Sequence, residues 1–121
     1  MQDFKKLKVW EKAHLLTIAV YKISVDFPKD EVYGLTSQMR RASASIPANI
    51  AEGCGREGTQ EFSRFLQIAM GSLYELEYHI LLAYDLKLLN ENNFEILNNN
   101  VTEVRKMLIA FMKTLKIRNE Q

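Results

Sequence analysis

The sequence predicts an all-α protein, an antiparallel up-down-up-down four-helix bundle that forms a single domain over residues 1–121. Apolar residues recur at spacings of three and four along four long segments, which is the pattern of helices with one buried face. Three short breaks rich in proline, glycine or asparagine separate these segments. Because short connections place consecutive helices side by side, neighbouring helices should run antiparallel.

The first helix is predicted from Val9 to Asp26, with Leu16, Val20 and Ile23 on its main apolar stripe. The break after this helix contains Pro28, which disfavours helical backbone at the residue before it. The first helix should therefore end close to this proline.

The second helix is predicted from Leu35 to Gly53 and is rich in small side chains, with Pro47 inside it. Proline lacks the N–H that would bind the carbonyl four residues earlier, so we expect a kink and an unpaired Ser43 carbonyl. The hydroxyl of Ser43 or Ser45 is expected to help satisfy the freed backbone groups.

The break over residues 53–58 has three glycines, and Gly53 or Gly55 is expected in the left-handed conformation that ends many helices. The third helix is predicted from Gln60 to Leu86, with Thr59 as its N-cap. Its apolar stripe contains Phe62, Leu66, Ala69, Leu73, Leu76, Ile80 and Ala83.

The fourth helix is predicted from Asn93 to Leu115, after an asparagine-rich break. Asn92 and Glu95 have the spacing of a capping box, in which each side chain binds the other's backbone N–H. The apolar stripe of this helix contains Phe94, Leu97, Val101, Val104, Leu108, Phe111 and Leu115.

Several apolar side chains lie outside these stripes. A helix in an isolated bundle needs one apolar stripe about 100° wide, so wider apolar faces indicate a second buried surface and hence self-association. The alternative is a broad core with aromatic residues scattered over the surface. The extra residues are Leu15, Ile18 and Ala19 of the first helix and Phe65, Ile68, Tyr74, Tyr78, Leu82 and Tyr84 of the third.

Composition favours a cytoplasmic protein and specifies no ligand. Lys and Arg number 16 and Asp and Glu 15, giving a net charge of +1, so bulk charge predicts neither nucleic acid nor membrane as a partner. A single cysteine excludes an internal disulfide and suits a reducing compartment. The first residues lack the apolar run of a signal peptide, and no apolar run reaches the roughly 18 residues that cross a bilayer.

Motifs of catalysis and cofactor binding are incomplete, so we predict no enzyme, no cofactor and no metal. Residues 53–58 match the G-x-G-x-x-G spacing of dinucleotide sites, but a helix precedes them where that site needs a strand. Glu11 and His14 form one Glu-x-x-His pair, whereas di-metal bundles use two. Cys54 has no evident base to activate it. An alternative for this segment is an anion held by Arg56 and the start of the third helix.

Polar residues on the second and third helices suggest a structural network that fixes their register. Because these helices should be antiparallel, Arg41 is expected to reach Glu75 or Glu77. Buried charges need such partners. The network is predicted to contain Gln38, Arg41, Asn49, Glu52, Glu75 and Glu77.

The predicted topology also separates charge between the two ends of the bundle. Acidic residues concentrate at the end that holds the first and third breaks. The other end is predicted to bind nucleic acid or another anionic polymer through its cations, although cations near helix C-termini also simply complement the helix dipole. The cations predicted at this end are Lys5, Lys6, Lys8, Lys12, Arg56, Lys113, Lys116 and Arg118.

The chain resembles the bacterial four-helix bundle proteins that are encoded in intervening sequences of large-subunit ribosomal RNA genes. The matching segments are LKVWEKA (7–13), Phe27–Pro28, YGLTSQMRRA (33–42), SIPANIAEG (45–53) and short groups between Glu61 and Glu77. The resemblance implies a homopentameric ring and no known catalytic residue. Related bundles are accessory proteins of diversity-generating retroelements and are thought to bind nucleic acid and a reverse transcriptase.

These observations together predict a non-enzymatic oligomeric bundle that binds or scaffolds RNA through its basic end. The alternative is a protein–protein interaction scaffold without a nucleic-acid role.

Overall fold

The computed structural model describes the backbone of residues 3–120 and the side chains of residues 3–116. Within this range the chain forms four α-helices and no strand: α1 (Lys8–Ser24), α2 (Leu35–Cys54), α3 (Thr59–Asp85) and α4 (Glu91–Glu120). Short 3-10 turns at Phe4–Lys6 and Lys29–Glu31 precede α1 and α2. The predicted all-α fold is confirmed, and α4 continues beyond its predicted end at Leu115.

Contacts between the helices show that consecutive helices run antiparallel. In each neighbouring pair, residue numbers rise along one helix as those of their partners fall along the other. α1 also packs against α4, which closes the bundle in the order α1, α2, α3, α4. The contacts are Thr17–Ser43 and Ser24–Arg40 for α1 and α2, Ser45–Ser72 and Gly53–Phe62 for α2 and α3, and Phe62–Phe111 and Glu77–Arg105 for α3 and α4.

One apolar core runs along the bundle axis and contains most residues of the predicted stripes. Burying each leucine or isoleucine side chain stabilises the fold by about 1.5–3 kcal/mol relative to an exposed one. This burial explains why four amphipathic helices pack together in spite of the conformational entropy that they lose. The fully buried large side chains include Leu16, Met39, Ile46, Ile50, Leu66, Leu73, Leu76, Ile80, Leu97 and Leu108.

The interruption of α2 by Pro47 is compensated from a neighbouring helix. The Thr17 hydroxyl of α1 donates to the Ser43 carbonyl at 2.8 Å, and it also lies 3.1 Å from the Ala13 carbonyl of its own helix. The expectation that Ser43 or Ser45 would serve this carbonyl was wrong. The Ser43 hydroxyl donates to the Arg40 carbonyl, and that of Ser45 pairs with Ser72 of α3.

Gly53 allows α2 and α3 to approach closely just before the turn that joins them. A Cβ atom at this position would lie 2.8 Å from Cδ1 of Phe62 and 3.1 Å from Cβ of Phe65. The expected left-handed conformation at Gly53 or Gly55 was wrong, since Gly55 has φ −86°. Positive φ values occur at Gly58 (80°) and at Lys87 (66°).

The caps of α3 and α4 differ from the predicted ones. Gly58 occupies the N-cap position of α3, and Thr59 is the first residue of that helix. α4 begins two residues before the predicted Asn93, because the side chain of Asn90 accepts the Asn93 N–H at 2.7 Å. Three of the four residues from 90 to 93 are Asn, so the sequence offers several N-caps of similar quality.

Candidate functional site

The start of α1, the α2–α3 turn and the last described turns of α4 lie at the same end of the bundle. Phe62 at the start of α3 meets Phe111 of α4 with ring centroids 5.5 Å apart. The Phe4–Lys6 turn packs against α2, and its Phe4 ring lies 4.9 Å from that of Trp10. We name this the basic end, after Lys5, Lys6, Lys8, Lys12, Arg56, Lys113 and Lys116. Arg118 was predicted here too, but its side chain lies outside the described residues.

Two of these cations already have carboxylate partners. Lys12 Nζ lies 3.1 Å from Glu103 Oε1 of α4. Arg56 binds Glu52 at 2.9 Å, and its guanidinium lies over the Phe65 ring. These ion pairs partly neutralise Lys12 and Arg56, so the two cations would attract an anionic ligand less strongly.

The other five cations are exposed and belong to none of the ion pairs between described residues. Lys5, Lys6 and Lys8 project from the beginning of the chain, and Lys113 and Lys116 from α4. The nearby Asp3 carboxylate accepts the backbone N–H of Lys5, which caps the first turn. Exposed carboxylates of Glu11, Glu57 and Glu61 lie at the same end, so the attraction of a polyanion depends on how the lysines are arranged and not on a large net charge.

A groove between α3 and α4 opens beside the α4 lysines and has a volume of about 530 Å³. We name it the α3–α4 groove. Met70 and Met112 contribute apolar surface and pack against the core, while Ile109 is 40% exposed. Among the residues whose side chains the structure describes, no carboxylate lines the groove. Its lining residues are Gln60, Ser63, Gln67 and Met70 of α3 and Ile109, Met112, Lys113 and Lys116 of α4.

A second groove lies between α1 and α2, with a volume of about 640 Å³. Arg40 at its edge donates to the Ser24 hydroxyl at 2.9 Å and lies over the Tyr21 ring. Thr36 is 4% exposed, and its buried hydroxyl has no hydrogen-bond partner among the described residues. The other lining residues are Val32, Ser37, Arg41, Ala44, Ser45 and Ala48.

The predicted polar network is divided into smaller groups within the chain. Arg41 donates to Gln38 at 2.8 Å, so the expected contact of Arg41 with Glu75 or Glu77 was wrong. Glu77 instead accepts two hydrogen bonds from Arg105 of α4, at 2.8 and 3.2 Å. Glu75 is exposed.

Two further members of the predicted network make local bonds. Asn49 donates to the carbonyl and the hydroxyl of Ser45, one turn earlier in α2. Glu52 is also bound within α2 and its following turn, by Arg56. A hydrogen bond of 2.9 Å between the Ser45 and Ser72 hydroxyls links this part of α2 to α3.

Arg105 was not predicted as the partner of Glu77. The hydrogen bond to Glu77 raises the pKa of the Arg105 guanidinium, and partial desolvation opposes this effect. The guanidinium also lies 5.3 Å from the centroid of the Tyr74 ring. Arg105 directly follows Val104, which belongs to the apolar stripe of the fourth helix. The spacing of residues along one helix does not show which residue of a neighbouring helix Arg105 contacts.

Groups with reactive chemistry are dispersed or buried. Cys54 is 2% exposed, and burial raises the pKa of its thiol. His14 stacks on Trp10 with a centroid distance of 4.9 Å. Among the described residues, no group of three or more His, Cys, Asp or Glu side chains is placed to hold a metal ion. No described helix has the length and apolar character needed to cross a membrane.

The fold and the basic end define a small antiparallel four-helix bundle with cations concentrated at one end. The chain belongs to the 23S rRNA-intervening sequence protein family, whose family model matches residues 5–110. The family resemblance seen in the sequence is thus confirmed. No curated protein matches the chain.

A similar solved structure is that of a protein of unknown function from the S23 ribosomal protein family of Bacteroides thetaiotaomicron. The two chains are 28% identical, and their structures superpose with a TM-score of 0.78. The match covers 87% of this chain and 98% of the Bacteroides chain.

Proposed function

We propose that this protein is a non-enzymatic, self-associating bundle that binds RNA through its basic end. The observation that supports the proposal most is the group of five exposed lysines without carboxylate partners among the described residues. Lys8 and its neighbours come from one end of the sequence, and Lys113 and Lys116 from the other. A flexible ammonium group binds phosphate as a point charge and therefore suits binding that does not depend on base sequence.

Self-association would strengthen this binding. Exposed apolar side chains such as Ile68, Tyr74 and Tyr78 offer surface for contacts between copies. In the homopentameric ring that the resemblance implies, subunits of equal orientation would place their basic ends on one face. Several weak phosphate sites on one face bind a long polyanion with an avidity that one subunit lacks.

The test replaces Lys8, Lys113 and Lys116 together with alanine. We expect RNA affinity to fall at least tenfold and the slope of log affinity against log salt to become shallower by about three, because each lysine neutralises about one phosphate. Fluorescence anisotropy of a labelled structured RNA over a salt series measures both quantities.

A matched control removes the same charge from other parts of the surface. Lys22, Lys29 and Lys106 are exposed, and their combined replacement by alanine should leave the salt slope close to that of the wild type. An equal loss of RNA affinity in both triple variants would show that binding depends on net charge alone and not on the basic end. Absence of RNA binding by the wild type at low salt would refute the proposal.

The second candidate function is a protein-docking scaffold without a nucleic-acid role. It is favoured by exposed apolar side chains at the opposite end of the bundle, where Tyr33 is 95%, Val25 70% and Leu86 53% exposed. A wild-type protein that self-associates but binds no RNA at low salt would favour this candidate.

A further inference from the structure

We infer that the α3–α4 groove binds one unpaired nucleotide of the RNA held by the basic end. This inference rests on the proposed function and adds the class of RNA that the site prefers. The groove is continuous with the basic end through Lys113 and Lys116, which line both.

The charge of the groove suits a phosphate. Two exposed lysines line it and none of the Asp or Glu side chains up to residue 116 does, although acidic residues are about as frequent as basic ones in the chain. A phosphate bound by Lys113 and Lys116 would lie beside α4, and its attached base would extend across the groove towards α3.

The remaining surface of the groove suits a nucleobase. Met70 and Met112 offer thioether sulfurs, which make favourable contacts with aromatic rings, and Ile109 adds apolar surface. Gln60 and Gln67 are exposed and make no side-chain hydrogen bond among the described residues, so their amides have both donors and acceptors available. Base edges present the same two kinds of group.

Size and shape favour a single unpaired nucleotide over a duplex. The volume of about 530 Å³ falls in the range of about 300–1,000 Å³ that is typical of small-molecule sites. Double-stranded RNA keeps its bases inside a helix whose deep groove excludes side chains, whereas an unpaired base can turn outward into a concave site. Duplex RNA would therefore contact the lysines and leave the rest of the groove empty.

The test compares a 12-nucleotide unstructured RNA with a blunt 12-base-pair RNA duplex. In the variant Gln60→Ala/Gln67→Ala, affinity for the unstructured RNA should fall about tenfold, because base hydrogen bonds are lost. Affinity for the duplex and both salt slopes should stay unchanged, since no charge is removed. Anisotropy titrations measure the affinities, and thermal melting checks that the variant is folded.

The control variant Asn92→Ala/Asn99→Ala removes two exposed amides from α4 outside the groove and should bind both RNAs as the wild type does. If the Gln variant binds both RNAs as tightly as the wild type, the nucleotide site is refuted while the proposed function stands. If the wild type binds neither RNA, both fail. If an acidic amphipathic peptide binds the groove and the Gln variant still binds unstructured RNA normally, the groove is a peptide site and the inference is wrong.

Discussion

Cys54 illustrates how position controls the chemistry of a single residue. Its side chain is buried at the end of α2, and desolvation disfavours the thiolate, so the pKa of the thiol lies above its ordinary value of 9.0. A thiolate is the reactive form of cysteine. In the folded chain this thiol is therefore a small apolar group of the core.

Because the pKa of the Cys54 thiol is raised, the free energy of unfolding depends on pH in the alkaline range. Below about pH 9 the folded and unfolded states both keep the proton. As pH rises further, the unfolded chain loses the proton first, and the free energy of unfolding falls by at most about 1.4 kcal/mol per pH unit. Urea unfolding of the wild type and Cys54→Ala between pH 8 and pH 10.5 measures this effect.

The difference in stability between these two proteins should shrink as pH rises, because every other titrating group is common to both. A difference that stays constant over the whole range would show that the thiol titrates alike in the folded and unfolded chains.

At the scale of the helix, α1 supplies a hydrogen-bond donor that α2 lacks. Pro47 cannot donate to the Ser43 carbonyl, and the Thr17 hydroxyl replaces the missing N–H at 2.8 Å. An unpaired buried carbonyl would cost about 1–3 kcal/mol. The Thr17 hydroxyl thus joins the two helices at a defined register.

A double-mutant cycle tests this compensation. Thr17→Val should lower the free energy of unfolding by about 1–3 kcal/mol in the wild type, because the Ser43 carbonyl loses its donor. In a Pro47→Ala background the restored N–H can serve the carbonyl, so the same substitution should cost less. Urea denaturation of the four proteins gives the coupling energy.

The exposed Thr114 hydroxyl binds the Ala110 carbonyl of its own helix and no other described residue, so Thr114→Val should change stability by less than about 0.5 kcal/mol. Equal costs of Thr17→Val in both backgrounds would mean that Thr17 does not compensate for Pro47.

The helices were predictable because each carries a sustained spacing of three and four, which tertiary packing preserves. The hydrogen-bond partners of individual polar groups on other helices were not predictable. Thr17 and Ser43 are 26 residues apart, and Glu77 and Arg105 are 28 apart. Each pairing depends on how a helix is rotated about its axis, which a stripe of apolar residues defines only to within about 100°. For the same reason the basic end was predictable as a group of cations, but the pairing of Lys12 with Glu103 of α4 was not.

At the scale of the whole molecule, α3 presents an apolar face outside the core. Tyr74, Tyr78 and Leu81 follow helical spacing and are each about half exposed. A second copy of the chain is the partner that we propose for this face. Covering this face would stabilise the contact between copies by about 25 cal/mol for each Å² of apolar surface removed from water.

Sedimentation or light scattering at micromolar concentration tests self-association. The wild type should have a mass well above that of the 14.0 kDa chain, about 70 kDa for the proposed pentamer. Tyr78→Glu should shift it to smaller species, because a charge on the apolar face must lose its water when two copies meet.

Val25→Glu is the matched control, since Val25 is 70% exposed at the end of α1 and away from this face. A wild type that sediments as a 14.0 kDa particle would contradict self-association.

The close approach at Gly53 connects core packing to the spacing of charges on the surface. A methyl group there would act as a wedge between α2 and Phe62, and the two helix axes would have to part where the α2–α3 turn carries Arg56. The guanidinium would then move away from the Phe65 ring of α3, whereas its bond to Glu52, four residues earlier, would stay. A glycine at a helix contact thereby fixes the position of a charge on the surface.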